Sequence, residues 1–175
     1  MLKDLLKNSL KSHKKIRNWL VLDNIRSAYN VGAIFRTADG TGITGLILLG
    51  ITPDPKTQEK VHKTSLGAQN SVPYLYYKET ADFLEDLKAN NLNDNLFALE
   101  LTDLAVDLYK WKLPDTIDTK PIFTIVGHEL LGVSAKLLVA SNQHLYIPMN
   151  GYKESLNVAE SASILMYEIY RKINY

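Results

Sequence analysis

Short runs of apolar, β-branched and aromatic residues punctuate the chain, and most of the segments between them carry helical periodicity. Trp19-Leu20-Val21-Leu22 ends at Asp23-Asn24, and the same signature returns at Leu46-Ile47-Leu48-Leu49-Gly50. Further runs lie at Tyr74 to Tyr77, Leu96 to Leu101, Ile122 to Val126 and Leu145 to Pro148. Runs this short, bounded by turn residues, predict buried strands. Strands alternating with helices predict an α/β fold: a mostly parallel sheet with helices on both faces. From Ser155 to Ile173 the spacing of Ala162, Leu165, Ile169 and Ile173 predicts one long helix packed along a single face.

Loops are short apart from Thr52 to Gln58 and Lys110 to Pro121, neither of which resembles a domain linker. The asparagine-rich stretch at 90–95 reads as a turn. With 175 residues, 46% hydrophobic and 22% charged, the chain is expected to form one domain over 1–175. Cysteine is absent, which removes disulfides and thiolate metal sites. The net charge of +1 hides an uneven distribution, because Lys3, Lys7, Lys11, Lys14, Lys15 and Arg17 face only Asp4 within the first seventeen residues. A basic helix is expected at about 1–17, with Lys3, Lys7 and Lys11 forming a stripe suited to a phosphate backbone or simply to water. No run of eighteen apolar residues occurs, and the start of the chain lacks the apolar stretch of a signal peptide. A soluble cytoplasmic protein with no membrane partner is the expectation.

Gly40-Thr41-Gly42-Ile43-Thr44-Gly45 matches G-x-G-x-x-G, but these glycines close a helix and lead into a strand. A dinucleotide fingerprint needs the reverse order, so that a helix N-terminus meets the pyrophosphate. The stretch therefore reads as a helix stop, and a nicotinamide-dependent oxidoreductase loses its main support. His13, His62, His128 and His144 lack ligand spacing, and no G-x-S-x-G elbow is present. No metal site is expected.

Three clusters combine glycine with polar residues beside an apolar strand, where open α/β sheets hold ligands. The first is Asn30-Val31-Gly32-Ala33-Ile34-Phe35-Arg36, with Asn30 near a helix start, Gly32 allowing close approach and Arg36 expected to return to the side of Asn30. The second runs from Ile125 to Ser134 and brackets Glu129 between Gly127 and Gly132. The third runs from Ile147 to Asn157, where Pro148 ends a strand and Ser155 and Asn157 open the last helix. Each has an ordinary reading as well: Asn30 and Ser155 as helix caps, Arg36 as a surface residue, Glu129 as a solvated loop acid.

Together, N-V-G-x-x-x-R at 30–36, G-x-E-x-x-G-V-S at 127–134 and I-P-M-x-G-x-x-x-S-L-N-V at 147–158 resemble the three motifs of the SpoU family. Lys63-Thr64-Ser65-Leu66-Gly67-Ala68 resembles a further family stretch, and the likeness spans about residues 19–170. The resemblance implies a SPOUT fold with a C-terminal deep trefoil knot, an exception to unknotted topology. It implies S-adenosylmethionine as methyl donor, held by Leu99, Glu100, Leu101 and Thr102, by Val126, Gly127 and His128, and by Ile147, Pro148, Met149, Ser155 and Leu156. It implies a homodimer whose sites are completed by the partner chain, and a ribose 2′-hydroxyl of tRNA or rRNA as acceptor. Arg36, Asn30, Glu129, Ser155 and Asn157 are the catalytic candidates it points to, with Arg36 engaging the RNA phosphate and the target hydroxyl. Glu160 departs from the smaller, more apolar residues usual after the third motif, and with no large RNA-binding domain expected beside the motifs the basic N-terminal helix is the expected auxiliary RNA contact. The rival reading is a knotted RNA-binding protein without catalysis.

Overall fold

The computed structural model describes residues 17–175. The basic helix expected at about 1–17 lies outside the described residues, apart from Arg17, whose guanidinium donates to the Thr119 carbonyl at 2.6 Å.

The elements are β1 (Asn18–Asp23), α1 (Ala28–Thr41), β2 (Gly45–Leu49), a 3-10 turn (Glu59–Val61), α2 (His62–Ser65) and α3 (Ala68–Ser71). They continue with β3 (Tyr74–Tyr77), α4 (Thr80–Ala89), β4 (Leu96–Leu99), β5 (Val106–Asp107), β6 (Ile122–Val126), α5 (Ala135–Ala140), β7 (Gln143–Tyr146) and α6 (Val158–Asn174). The strands form one seven-stranded sheet in the order β3-β2-β1-β6-β4-β7-β5, and every pairing is parallel.

Strand periodicity divides the core in two. On one face Leu20, Leu22, Leu46, Leu48, Ile122 and Val126 pack with Ile34, Phe35, Ala38, Leu165 and Ile169 from α1 and α6. On the other, Trp19, Val21, Ile47, Leu49, Phe123 and Ile125 meet Phe83 and Leu87 of α4 and Leu137 of α5. β1, β2 and β6 are buried along their whole length because helices cover both faces, and this is why they read as mainly apolar runs, with Thr124 of β6 buried among them.

Three boundaries differ from the expectation, the first being that of the run at 96–101, which pairs only over Leu96–Leu99. The strand expected at 145–148 pairs over Gln143–Tyr146, since His144 bonds Thr102 and the Leu138 carbonyl and so satisfies its polar ring inside the sheet, while Ile147 and Pro148 leave the ladder. The last helix starts at Val158, not Ser155, because Asn157 supplies the cap: its side-chain oxygen accepts from the Ala159 N–H at 2.8 Å. The two-residue β5 has no apolar run and no expectation covered it.

Gly40 to Gly45 behaves as a helix stop. α1 ends at Thr41, Gly42 caps it in the left-handed region at φ 61°, and β2 begins at Gly45. Gly32 answers a different need, since a Cβ there would lie 2.1 Å from Thr64 Oγ1 and 2.3 Å from the Val61 carbonyl. Only a bare backbone lets α1 rest on the 59–65 segment.

All strands point the same way, so the loops following β1, β4, β6 and β7 gather at one edge of the sheet. Those loops carry the polar clusters.

Candidate active site

β6 lies beside β1, so the loop after Val126 emerges next to the turn that starts α1. Ser27 caps that helix, and Asn30 sits in its first turn, donating its N–H to Ser27 Oγ at 3.3 Å. Glu129 reaches across: Oε2 accepts from the Arg26 N–H, while Oε1 accepts from the Ser27 N–H and from Asn30 Nδ2, each at 2.9 Å. A carboxylate over a helix N-terminus also faces the positive end of the helix dipole. Burial pushes the Glu129 carboxyl up, yet the hydrogen bonds from Arg26, from its own backbone, from Ser27 and from Asn30 outweigh that, and the group sits below the usual carboxylate value.

Asn30 Oδ1 in turn accepts from Asn157 Nδ2 at 3.3 Å. Residues 30, 129 and 157, far apart in sequence, thus form one hydrogen-bonded chain joining the three clusters. Both ends of the Asn30 amide are consumed by it. Asn30 is therefore neither the cap of its helix nor free, and Glu129 is not a solvated loop acid.

The 127–134 loop closes on itself. His128 and Gly132 exchange backbone hydrogen bonds at 3.0 and 2.9 Å, and His128 Nδ1 accepts from the Leu130 N–H at 3.0 Å. A Cβ on Gly127 would lie 2.2 Å from the Gly132 carbonyl carbon, and Gly132 adopts φ 70°. Two carboxylates pin the loop from below: Glu100 Oε2 accepts from Val133 N–H at 2.8 Å, and buried Asp23 accepts from Ser134 N–H at 2.7 Å. Ser134 stands at the cap position of α5 but makes no side-chain cap bond.

Above these loops lies a cleft of about 630 Å³. Leu99, Glu100 and Leu101 line one side, Val126, Gly127, His128 and Glu129 the floor, and Ile147, Met149, Ser155, Leu156 and Asn157 the other wall. Thr102 and Pro148, expected among them, lie outside the lining; Thr102 is turned to His144, 2.9 Å away. Ser155 is exposed and bonds to no other described residue.

Arg36 is not brought in. It is exposed, makes no hydrogen bond or ion pair with another described residue, and does not line the cleft. The cause is angular: six helical positions separate it from Asn30, about 120° around a helix of 3.6 residues per turn. The expected return to the same side needs seven.

Sequence reasoning did not reach Asp23, Ser27, Lys153 or Glu154. Asp23 was legible only as the end of a strand, although an acid closing an apolar run at the ligand edge of a parallel sheet is itself a signal. Lys153 and Glu154 line the cleft with Gly151. Among the described residues no group of His, Asp and Glu side chains is arranged to hold a metal ion, and no helix there is long and apolar enough to cross a membrane.

The profile of the SpoU rRNA Methylase family matches residues 17–167. The chain belongs to that family. Among its relatives, a Staphylococcus saprophyticus protein assigned to the TrmH family of tRNA/rRNA methyltransferases is 32% identical over 165 residues. That match takes in 94% of this chain and 63% of the relative, so the chain spans somewhat under two thirds of the length of such proteins. An AdoMet-bound rRNA methyltransferase from Sinorhizobium meliloti superposes with a TM-score of 0.80 at 28% identity, over 93% of this chain and 59% of that one. A structure described as giving insight into the 2-OH methylation of C/U34 on tRNA superposes with a TM-score of 0.77 at 26% identity, over 91% of this chain and 97% of that one. The parallel sheet flanked by helices is the fold of the SPOUT methyltransferases that SpoU proteins share.

Proposed function

We propose that the chain is an RNA methyltransferase that moves a methyl group from S-adenosylmethionine to a ribose 2′-hydroxyl. The observation that carries this reading is the Glu129-Asn30-Asn157 chain, which ties the first motif to two residues of the other motifs that line one cleft. The cleft suits the donor. Its volume falls in the range of small-molecule sites, its apolar side chains offer an adenine a lining, and Glu100 and Glu154 place carboxylates on the wall of a pocket for a cationic sulfonium. When bound, S-adenosylmethionine supplies an electrophilic methyl group. Leu99, Leu101, Ile147, Met149 and Leu156 hold it, together with backbone groups at Gly127 and His128.

Of the five catalytic candidates, Asn30, Glu129 and Asn157 spend their polar atoms on one another and on the starts of α1 and α6. They act as the frame. Ser155 and Arg36 keep their polar groups open and are the pair that meets the acceptor. The guanidinium stays charged at working pH, so Arg36 acts by gripping phosphate and orienting the hydroxyl, not as a general base.

Arg36 lies outside the cleft of its own chain, and a homodimer reconciles its position with its role: a second copy brings Arg36 to the site. The C-terminal knot belongs to the same proposal. The strand order supports it, because β6 and β7 each enter between strands laid down earlier. The acceptor is a tRNA or an rRNA, since the similar structures include one concerned with 2-OH methylation of C/U34 on tRNA and an rRNA methyltransferase.

The test is transfer of labelled methyl from S-adenosylmethionine to tRNA and, separately, rRNA from cells lacking this protein, followed by alkaline hydrolysis. The label is expected in alkali-resistant dinucleotides of one of the two RNAs. Label released in mononucleotides places the methyl on a base, and label in neither RNA refutes the activity.

A further inference from the structure

Lys63-Thr64-Ser65-Leu66-Gly67-Ala68 is a sequence feature that the cleft does not absorb. It folds against the start of α1: Thr64 Oγ1 donates to the Tyr29 carbonyl at 2.9 Å, and Gly32 admits the contact. Ser65 is buried, with its hydroxyl on Gln69 Oε1. Leu66 then takes the left-handed conformation at φ 49° and is held 68% exposed. Leucine is a poor choice for that backbone, where glycine or asparagine carries little or no steric cost. Strain kept for an exposed apolar side chain points to a partner outside the chain.

Tyr29 is also half exposed. On α1 it lies about 20° from Arg36, so the two share a ridge. Gly32, against the 59–65 segment, marks one flank of that ridge; Thr37, bonded to Ser163 of α6 at 2.9 Å, marks the other. Around it Arg26, Lys60 and Lys63 are exposed and form no ion pair with a described residue, against one exposed acid, Glu59, on the same segment. Exposed aromatic and apolar side chains among unpaired cations are the composition that stacks bases while tracking a phosphate backbone.

We infer that Tyr29 and Leu66, with Lys63 and Arg26 beside them, form a platform on which the bases next to the methylated nucleotide stack as Arg36 engages its phosphate. The inference rests on the reading that the chain acts on RNA, and it assigns the substrate's flanking nucleotides to a defined surface.

The experiment compares binding of a fluorescent oligouridylate of about twelve nucleotides with that of an abasic ribose-phosphate strand of equal length, at low salt. The wild-type protein binds the oligouridylate about tenfold more tightly than the abasic strand. Tyr29→Ala and Leu66→Gly each remove most of that difference, whereas Tyr29→Phe keeps it. Leu66→Gly melts no lower than wild type, since glycine relieves the positive φ, so its loss of binding is not a loss of fold. Lys63→Ala weakens both strands alike and lowers the salt slope by about one. Equal wild-type affinity for the two strands overturns the platform, as does unchanged base preference in both variants, or a change in self-association by sedimentation in place of RNA binding. Methyl transfer is scored separately: active protein without base preference sinks the platform alone, and base preference without any methylated RNA sinks the proposed activity alone.

Discussion

Burial and hydrogen bonding pull the Glu129 carboxyl in opposite directions, and hydrogen bonding wins. A carboxyl whose folded value lies below its unfolded value adds stability that is complete above the unfolded value and is lost as pH falls through the folded one. Glu168 follows the same rule: the hydrogen bond from Arg171 holds it low, against its burial, with Lys172 adding to the effect. Stability is therefore expected to start falling as pH drops below the unfolded glutamate value of about 4.3 and to keep falling through the lower folded values of both carboxyls. Glu129→Gln turns an acceptor into a donor facing backbone N–H groups and is expected to cost about 1–3 kcal/mol at pH 7. The urea midpoint of this variant should also depend less on pH than that of wild type; equal midpoints at pH 7 contradict the network. At this scale the sequence singled out Asn30, Glu129 and Asn157, which the fold joins by hydrogen bonds, and Arg36, which it leaves apart. Asn30 and Glu129 were legible because polar residues bracketed by glycine stand out beside apolar strands. Their mutual bond spans 99 positions, and no local pattern encodes it.

Secondary elements were legible where burial on both faces forces mainly apolar runs, as in β1, β2 and β6, and less so where a side chain solves its own polarity. His144 hid the start of β7 in this way, and β5 is too short to carry a pattern. Angular placement on α1 needed more care than spacing alone gave it, since six residues and seven lead to opposite conclusions about Arg36. Gly32 offers a test in which two effects compete. Glycine to alanine inside a helix normally adds about 1 kcal/mol of stability, but here the new Cβ meets Thr64 Oγ1 and the Val61 carbonyl. Overpacking against backbone costs about 1–3 kcal/mol and should win. Gly32→Ala is thus expected to lower the melting temperature, while a rise would mean that the 59–65 segment yields.

For the whole molecule, the parallel sheet with covered faces followed from the alternation of runs and helices, whereas the order in which β6 and β7 insert did not, because strand order depends on long-range pairing. The proposed dimer has a direct genetic form. Leu101 is 59% exposed and lines the cleft, so Leu101→Arg fills the donor site with bulk and positive charge at little cost to folding. Mixing inactive Arg36→Ala with inactive Leu101→Arg under conditions of subunit exchange should restore about a quarter of wild-type activity, since half the dimers are hybrids and each has one intact site. No recovery places Arg36 at the cleft of its own chain. The central claim, that three distant segments build one methyl-donor cleft, is tested most directly by calorimetric titration of S-adenosylmethionine. Wild type and Arg36→Ala are predicted to bind one donor per chain with similar affinity, and Leu101→Arg to bind none; absence of binding by the wild type, or undiminished binding by Leu101→Arg, contradicts it.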